Sequence, residues 1–146
     1  MFKLKKIVPA LVVTASLLLS SQSAFAVSGL ADTRSEALNV YPNTDYTWTL
    51  DTAADEDWFY WTNSTSSTQY LSGSLLSPAG KNYNLQLVLV TAGGLEHVLN
   101  TNDNGPGQHD GFSSSLQPGE EMYFKIRSSG SDYDKSNQYK FNFKVS

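Results

Sequence analysis

Asp55-Glu-Asp-Trp-Phe-Tyr-Trp61 and Leu116-Gln-Pro-Gly-Glu-Glu-Met-Tyr-Phe-Lys-Ile126 decide the fold, because each joins a turn of polar residues to an aromatic-rich strand. Outward from them the same period-2 grammar holds. Tyr46, Trp48 and Leu50 alternate with Asp45, Thr47 and Thr49, as a half-buried strand requires. The pattern predicts further strands over Trp58 to Thr62, Tyr70 to Leu76, Tyr83 to Thr91, Leu95 to Asn100, Gly111 to Leu116, Met122 to Ser128 and Gln138 to Val145. In two of them one face is explicit: Tyr83, Leu85, Leu87 and Leu89, and Tyr139, Phe141, Phe143 and Val145. No segment carries an amphipathic helix of ordinary length. About eight short strands separated by Gly, Pro, Asn, Asp and Ser turns predict an all-β chain, an antiparallel β-sandwich of jelly-roll-like form.

Met1-Phe-Lys-Leu-Lys-Lys6 is a basic start, Ile7 to Leu19 is mostly apolar, and Ala24-Phe-Ala26 has the small-x-small form of a cleavage site. Residues 1–26 therefore read as a secretory signal peptide, residues 27–43 as a lead-in segment and residues 44–146 as one sandwich domain. Within the lead-in, Asp32-Thr-Arg-Ser-Glu-Ala-Leu38 is either a short helical turn or a flexible approach. The apolar run is shorter than the roughly 20 residues of a membrane span, and no second run follows, so no membrane insertion is expected and the chain reads as secreted. With no cysteine, stability must come from the core. Without Lys3, Lys5 and Lys6, 7 basic residues face 14 acidic ones, a net charge of −7 that disfavours nucleic acid as a partner.

Catalytic chemistry finds little support. A nucleophilic hydrolase needs Ser or Cys beside a base oriented by an acid. The two histidines, His97 and His109, belong to no nucleophile motif and lack metal-ligand spacing, and the serines cluster in turns. The chain is therefore read as not an enzyme. For a cation, Asn100-x-Asn-x-Asn-Gly105 echoes half an EF-hand loop, but its first ligand is neutral and its twelfth position is Gly111, so it reads as a turn between strands. Asp51, Asp55 and Asp57, beside Glu56, form the denser acidic set. Either these carboxylates cap turns or sit in solvent, or they hold a structural calcium ion, with Asp55 and Asp57 on one side of the strand.

The aromatics carry the stronger functional signal. Trp58-Phe-Tyr-Trp61 puts rings on both faces of one strand, and only one face can be the core of a two-layer sandwich. The outward pair is either Trp58 with Tyr60 or Phe59 with Trp61. Exposed Trp and Tyr form flat apolar platforms with a polar edge, suited to sugar rings or to prolines of a collagen-like helix. Trp58, Tyr60, Trp61, Tyr70 and Tyr133 are the candidate ligand-binding residues, and Tyr46 is a further extension.

Over residues 36–146 the chain resembles the bacterial pre-peptidase C-terminal domain, a family related to the collagen-binding domains of clostridial collagenases. The resemblance rests on Asp55-x-Asp57-Trp58-Phe59, on Asn82-Tyr-Asn-Leu-Gln-Leu87, on Leu116-x-Pro-Gly119 followed by Tyr123-Phe-Lys-Ile126, and on Tyr139-Lys-Phe-x-Phe143. Asn84 stands where the family often has Asp. The resemblance implies a noncatalytic β-sandwich, usually appended to secreted hydrolases, that binds matrix or polymer. Two expectations follow: a binding module for an extracellular polymer, collagen-like protein or polysaccharide, or a structural and interaction protein that associates with a secreted protease or the cell envelope. An exposed aromatic strip favours the first, and a compact apolar patch or an open strand edge favours the second.

Overall fold

The computed structural model describes residues 29–146, so the signal-peptide reading of residues 1–26 lies outside the described residues. A 3-10 turn at Arg34–Glu36 precedes nine strands: β1 (Leu38–Asn39), β2 (Tyr46–Leu50), β3 (Glu56–Thr62), β4 (Gln69–Leu76), β5 (Tyr83–Val90), β6 (Glu96–Asn100), β7 (His109–Leu116), β8 (Glu121–Ser128) and β9 (Asp134–Val145). They form a five-stranded sheet, β1-β3-β8-β5-β6, and a four-stranded sheet, β2-β9-β4-β7. The expected β-sandwich is present, with all eight expected strands displaced at their ends by at most a few residues. The ninth, β1, lies within the lead-in and pairs parallel to β3 through Leu38 and Asn39. Two residues are too short for a periodicity signal, so this strand is set by its neighbour rather than by its own sequence.

From β2 onward the chain changes sheet at every connection except the β5–β6 hairpin. The two stretches that announced the fold are neighbours: β3 and β8 pair antiparallel from Glu56 opposite Arg127 to Thr62 opposite Glu121. Their turns are joined by fully buried Asn63, whose Nδ2 donates to Ser67 O at 2.9 Å and Leu116 O at 3.0 Å while its Oδ1 accepts from Thr65. A buried amide with both ends satisfied fixes how two loops meet.

Inner faces of the two sheets meet in an aromatic core. Phe59 from β3 stacks 5.8 Å from Phe141 of β9, and Phe124 from β8 lies 5.0 Å from Phe141 and 5.2 Å from Phe143. All four rings are fully buried, and each contributes roughly 1.5–3 kcal/mol of burial. The expected apolar faces are inward: Tyr83, Leu85 and Leu87 on β5, and Tyr139, Phe141 and Phe143 on β9, are buried.

Gly73 gives this core its tightest point. It sits on β4 opposite Phe112 of β7 and Phe143 of β9, and a Cβ there would lie 2.3 Å from Asn142 O and 2.7 Å from the Phe112 ring. The backbone oxygen cannot retreat without breaking the ladder. Gly73→Ala is therefore expected to destabilise the domain by about 1–3 kcal/mol, read as a lower denaturation midpoint in urea. An unchanged midpoint would mean that β4 and β9 can separate at Gly73 without loss of stability.

Candidate functional site

The outer face of the five-stranded sheet follows from its register. One row runs Glu56–Arg127–Asn84, the next Trp58–Lys125–Gln86–Asn100, the next Tyr60–Tyr123–Val88–Val98, and the last Thr62–Glu121–Val90–Glu96. The outward pair of the aromatic strand is thus Trp58 with Tyr60. Phe59 is core, and Trp61 points inward, half-buried, with its ring 6.1 Å from Phe143. An edge of Trp61 still reaches a hollow lined by Asn39, Tyr41, Thr62 and Ser64.

Each outward ring is held by its neighbours. Trp58 Nε1–H donates to Glu56 Oε2 at 3.2 Å, Lys125 Nζ pairs with Glu56 Oε1 at 2.6 Å, and the same ammonium lies 5.1 Å from the Trp58 ring centroid. Tyr60 stacks on Tyr123 at 5.6 Å, and the Tyr123 hydroxyl donates to Glu121. The lead-in folds back over this end: Arg34 places its guanidinium 4.3 Å above the Tyr123 ring and pairs with Glu96 at 2.7 Å across the sheet. Val88 is accordingly buried on an outer face. Burial, together with Glu121, raises the Tyr123 pKa. The face therefore grades from a covered aromatic end to an open polar end, where Asn84, Gln86, Asn100, Thr101, Asp103 and Arg127 line a cleft of about 290 Å³.

Of the five expected ligand-binding residues, only Trp58 and Tyr60 share this face. Tyr70 is 64% exposed on the outer side of the other sheet, Tyr133 is exposed in the loop between β8 and β9, and Trp61 faces inward. Tyr46 packs against the core. A single continuous surface of all these rings is not what the fold assembles. Tyr123, Lys125 and Gln86 join the face instead. Alternation over 121–128, with Met122, Phe124 and Ile126 inward, is the sequence signal that marks Tyr123, Lys125 and Arg127 as outward.

The acidic set occupies a different place. Asp55 Oδ2 accepts from Asp51 N–H at 2.6 Å, closing the turn before β3. Asp57 is buried on the inner side of β3, and its Oδ2 accepts from the Tyr139 hydroxyl at 2.6 Å, tying β3 to β9. Among the described residues no group of three or more His, Asp or Glu side chains is arranged to hold a metal ion. Burial pushes the Asp57 carboxyl up to about 7, Tyr139 opposes this through its hydrogen bond, and the charges of Asp55, Asp32 and Asp51 add to the rise. Burial likewise raises Asp55, partly offset by the Asp51 amide. Asn100 to Gly105 opens the loop between β6 and β7: Asp103 Oδ1 accepts from Gly105 N–H at 2.9 Å, and Gly105 takes φ +92°. His97 is exposed on β6, whereas His109 Nδ1 lies 3.3 Å from Ser74 Oγ. No carboxylate among the described residues hydrogen-bonds that imidazole, so no triad forms there.

No family model and no curated protein matches the chain. Among solved structures, the chain is similar to the pre-peptidase C-terminal domain of the collagenase from Bacillus anthracis, with a TM-score of 0.52 at 20% identity over 75% of this chain and 95% of that domain. The chain shares that domain's fold. Infectious bursal disease virus structures, the Gt strain and the VP2 subviral particle, align at TM-scores of 0.34 and 0.31 with 11% and 13% identity, over 71% of this chain and 33% and 32% of theirs.

Asp57 makes stability depend on pH with a definite sign. The folded group keeps its proton to about pH 7, whereas the ordinary value is 3.8, so between these values the native state binds more protons and stability falls as pH rises. Asp57→Asn is expected to flatten that slope and to raise stability at pH 8 by roughly 2–4 kcal/mol, measured by urea unfolding at pH 5 and pH 8. Equal slopes in both proteins would show that Asp57 ionises normally. Trp61→Ala, which removes a ring packed on Phe143, is expected to cost about 2–3 kcal/mol in the same assay. A variant as stable as the parent would move Trp61 out of the core.

Proposed function

We propose that the chain is a secreted, noncatalytic binding module that attaches to an extracellular polymer through the outer face of the five-stranded sheet. The observation that carries this reading is the juxtaposition of Trp58 and the Tyr60–Tyr123 stack with Lys125, Gln86 and Asn100 in adjacent rows of one rigid sheet. Rings on neighbouring rows stand about 7 Å apart along a strand, a spacing at which a polymer contacts both. Strand-borne rings fixed by Lys125, Glu56 and Arg34 lose little freedom on binding, which favours association. The collagenase domain of like fold places collagen-like protein beside polysaccharide among the polymers to test. No helix among the described residues is long and apolar enough to cross a membrane.

A second reading has its own observation. β6 is exposed throughout at the edge of the five-stranded sheet, with Leu95 and Val98 open to solvent beside Leu99. An open edge with apolar side chains suits strand addition by a secreted protein partner.

The test is retention of the exported chain on insoluble collagen, cellulose, chitin and peptidoglycan. Retention on at least one is expected, and Trp58→Ala and Tyr60→Ala should each weaken it about tenfold, which is 1.4 kcal/mol, with each variant still folded at the assay temperature. Failure on all four polymers would end the polymer reading and leave the β6 edge as the functional surface.

A further inference from the structure

We infer that the polar cleft at the open end of this face is a subsite for one residue of a neutral, hydroxyl-rich glycan, held by Arg127, Asp103, Asn84, Gln86 and Asn100 beside the Trp58 ring. The inference rests on the polymer-binding reading and names its ligand class. The cleft, at about 290 Å³, lies at the lower limit of small-molecule sites and accommodates one sugar unit rather than a protein segment. It is contiguous with the platform. Gln86 shares a row with Trp58 and Lys125, and Asn84 shares one with Arg127 and Glu56. From β3 to β5 is two strand spacings, roughly 9.5 Å, so a short chain crossing the strands places one unit over Trp58 and another in the cleft.

The lining chemistry selects the class. Arg127 is exposed, and among the described residues its guanidinium makes no ion pair, so its donors are free. Asp103 provides acceptors and is pinned in place: Asn82 Nδ2 donates to both carboxylate oxygens at 3.0 and 3.1 Å, and Gly105 N–H to one. Gln86 Nε2 donates to Asn100 Oδ1 at 3.0 Å, leaving the Gln86 oxygen and the Asn100 amide hydrogens unspent. Thr101 donates its hydroxyl to Leu85 O and keeps its lone pairs. One fixed cation, one fixed anion and several amides, each with capacity left, match groups that both donate and accept, as vicinal hydroxyls do. A polyanion would meet Asp103 and the chain's net negative charge, and a polycation would meet Arg127.

A further observation agrees. Asn84 Oδ1 is buried without a hydrogen-bond partner, an unmet acceptor that costs on the order of 1–3 kcal/mol. A turn of the Asn84 side chain toward the cleft on ligand entry would bring that acceptor within reach of a sugar hydroxyl, whereas an apolar ligand offers it no donor.

The experiment titrates the full chain, expressed for export, with cellohexaose, laminarihexaose, mannohexaose and chitohexaose, and with a collagen-like (Pro-Pro-Gly)n peptide and polygalacturonate as controls. Calorimetry and amide chemical shifts are the readouts. Binding of at least one neutral oligosaccharide is expected, with shifts at Gln86, Asn100 and Arg127. Asn84→Ala, at a melting temperature that is not lowered, and Arg127→Gln, on an exposed side chain that cannot unfold the domain, should each weaken it at least fivefold. If the collagen-like peptide binds at Trp58 and no neutral oligosaccharide does, the platform stands and the glycan subsite is wrong. Saccharide affinity unaltered by both variants also overturns it. Polygalacturonate binding more tightly than every neutral probe would overturn the ligand class.

Discussion

Phe59, Phe124, Phe141 and Phe143 interlock across the two sheets, and the rest of the molecule depends on that contact. A chain without cysteine has no disulfide between its layers. Since the strands from β2 onward mostly alternate between the sheets, nearly every connection crosses an end of the sandwich, and the layers can separate only if the ring stack opens. Four fully buried rings at centroid separations of 5.0–6.2 Å leave no room for a slip in register. Gly73 belongs to the same constraint, because the absence of its side chain lets Phe112 and Phe143 close over β4.

That core also frees the outer faces for other work. β3 shows this within seven residues: Asp57, Phe59 and Trp61 face inward while Trp58 and Tyr60 face outward. Asp57 is the exception within the interior, a carboxylate among aromatic rings with the Tyr139 hydroxyl as its partner. A buried carboxyl weakens the fold as pH rises from its ordinary value toward its raised one, yet its short hydrogen bond fixes β3 against β9 at one height. The same bond sets the height of Trp58, the next residue along the strand.

Alternation made the inner faces of β5 and β9 legible residue by residue, because burying one face of a strand leaves a period of two in the sequence. The aromatic run of β3 erased that period: apolar rings at four successive positions fit either phase. The choice was made by β8, whose Met122, Phe124 and Ile126 are inward and carry Phe59 with them. Tyr70 and Tyr133 looked like parts of one surface because sequence holds no information on which sheet an exposed ring joins. The motifs behind the family resemblance, Phe59, Leu85, Leu87 and the Tyr139 to Phe143 run, are mostly core residues. They announce a sandwich strongly and a ligand weakly. The acidic cluster takes local roles that spacing alone does not show: Asp55 precedes the strand and closes a turn, while Asp57 lies within the strand and accepts from the Tyr139 hydroxyl.

The graded outer face constrains how a ligand would lie. Arg34, bridging from the lead-in to Glu96 over Tyr123, covers Tyr123 and Val88, so a rigid polymer running along the strands past the Trp58 and Tyr60 rows would collide with it. Crossing the strands one row away, along Trp58, Lys125, Gln86 and Asn100, meets no such barrier and ends in the polar cleft. That row offers a ring, an ammonium and two amides in succession. Apolar contact and hydrogen bonding therefore alternate along the path, an order that suits a ligand with flat faces and hydroxyl edges better than a uniformly apolar one.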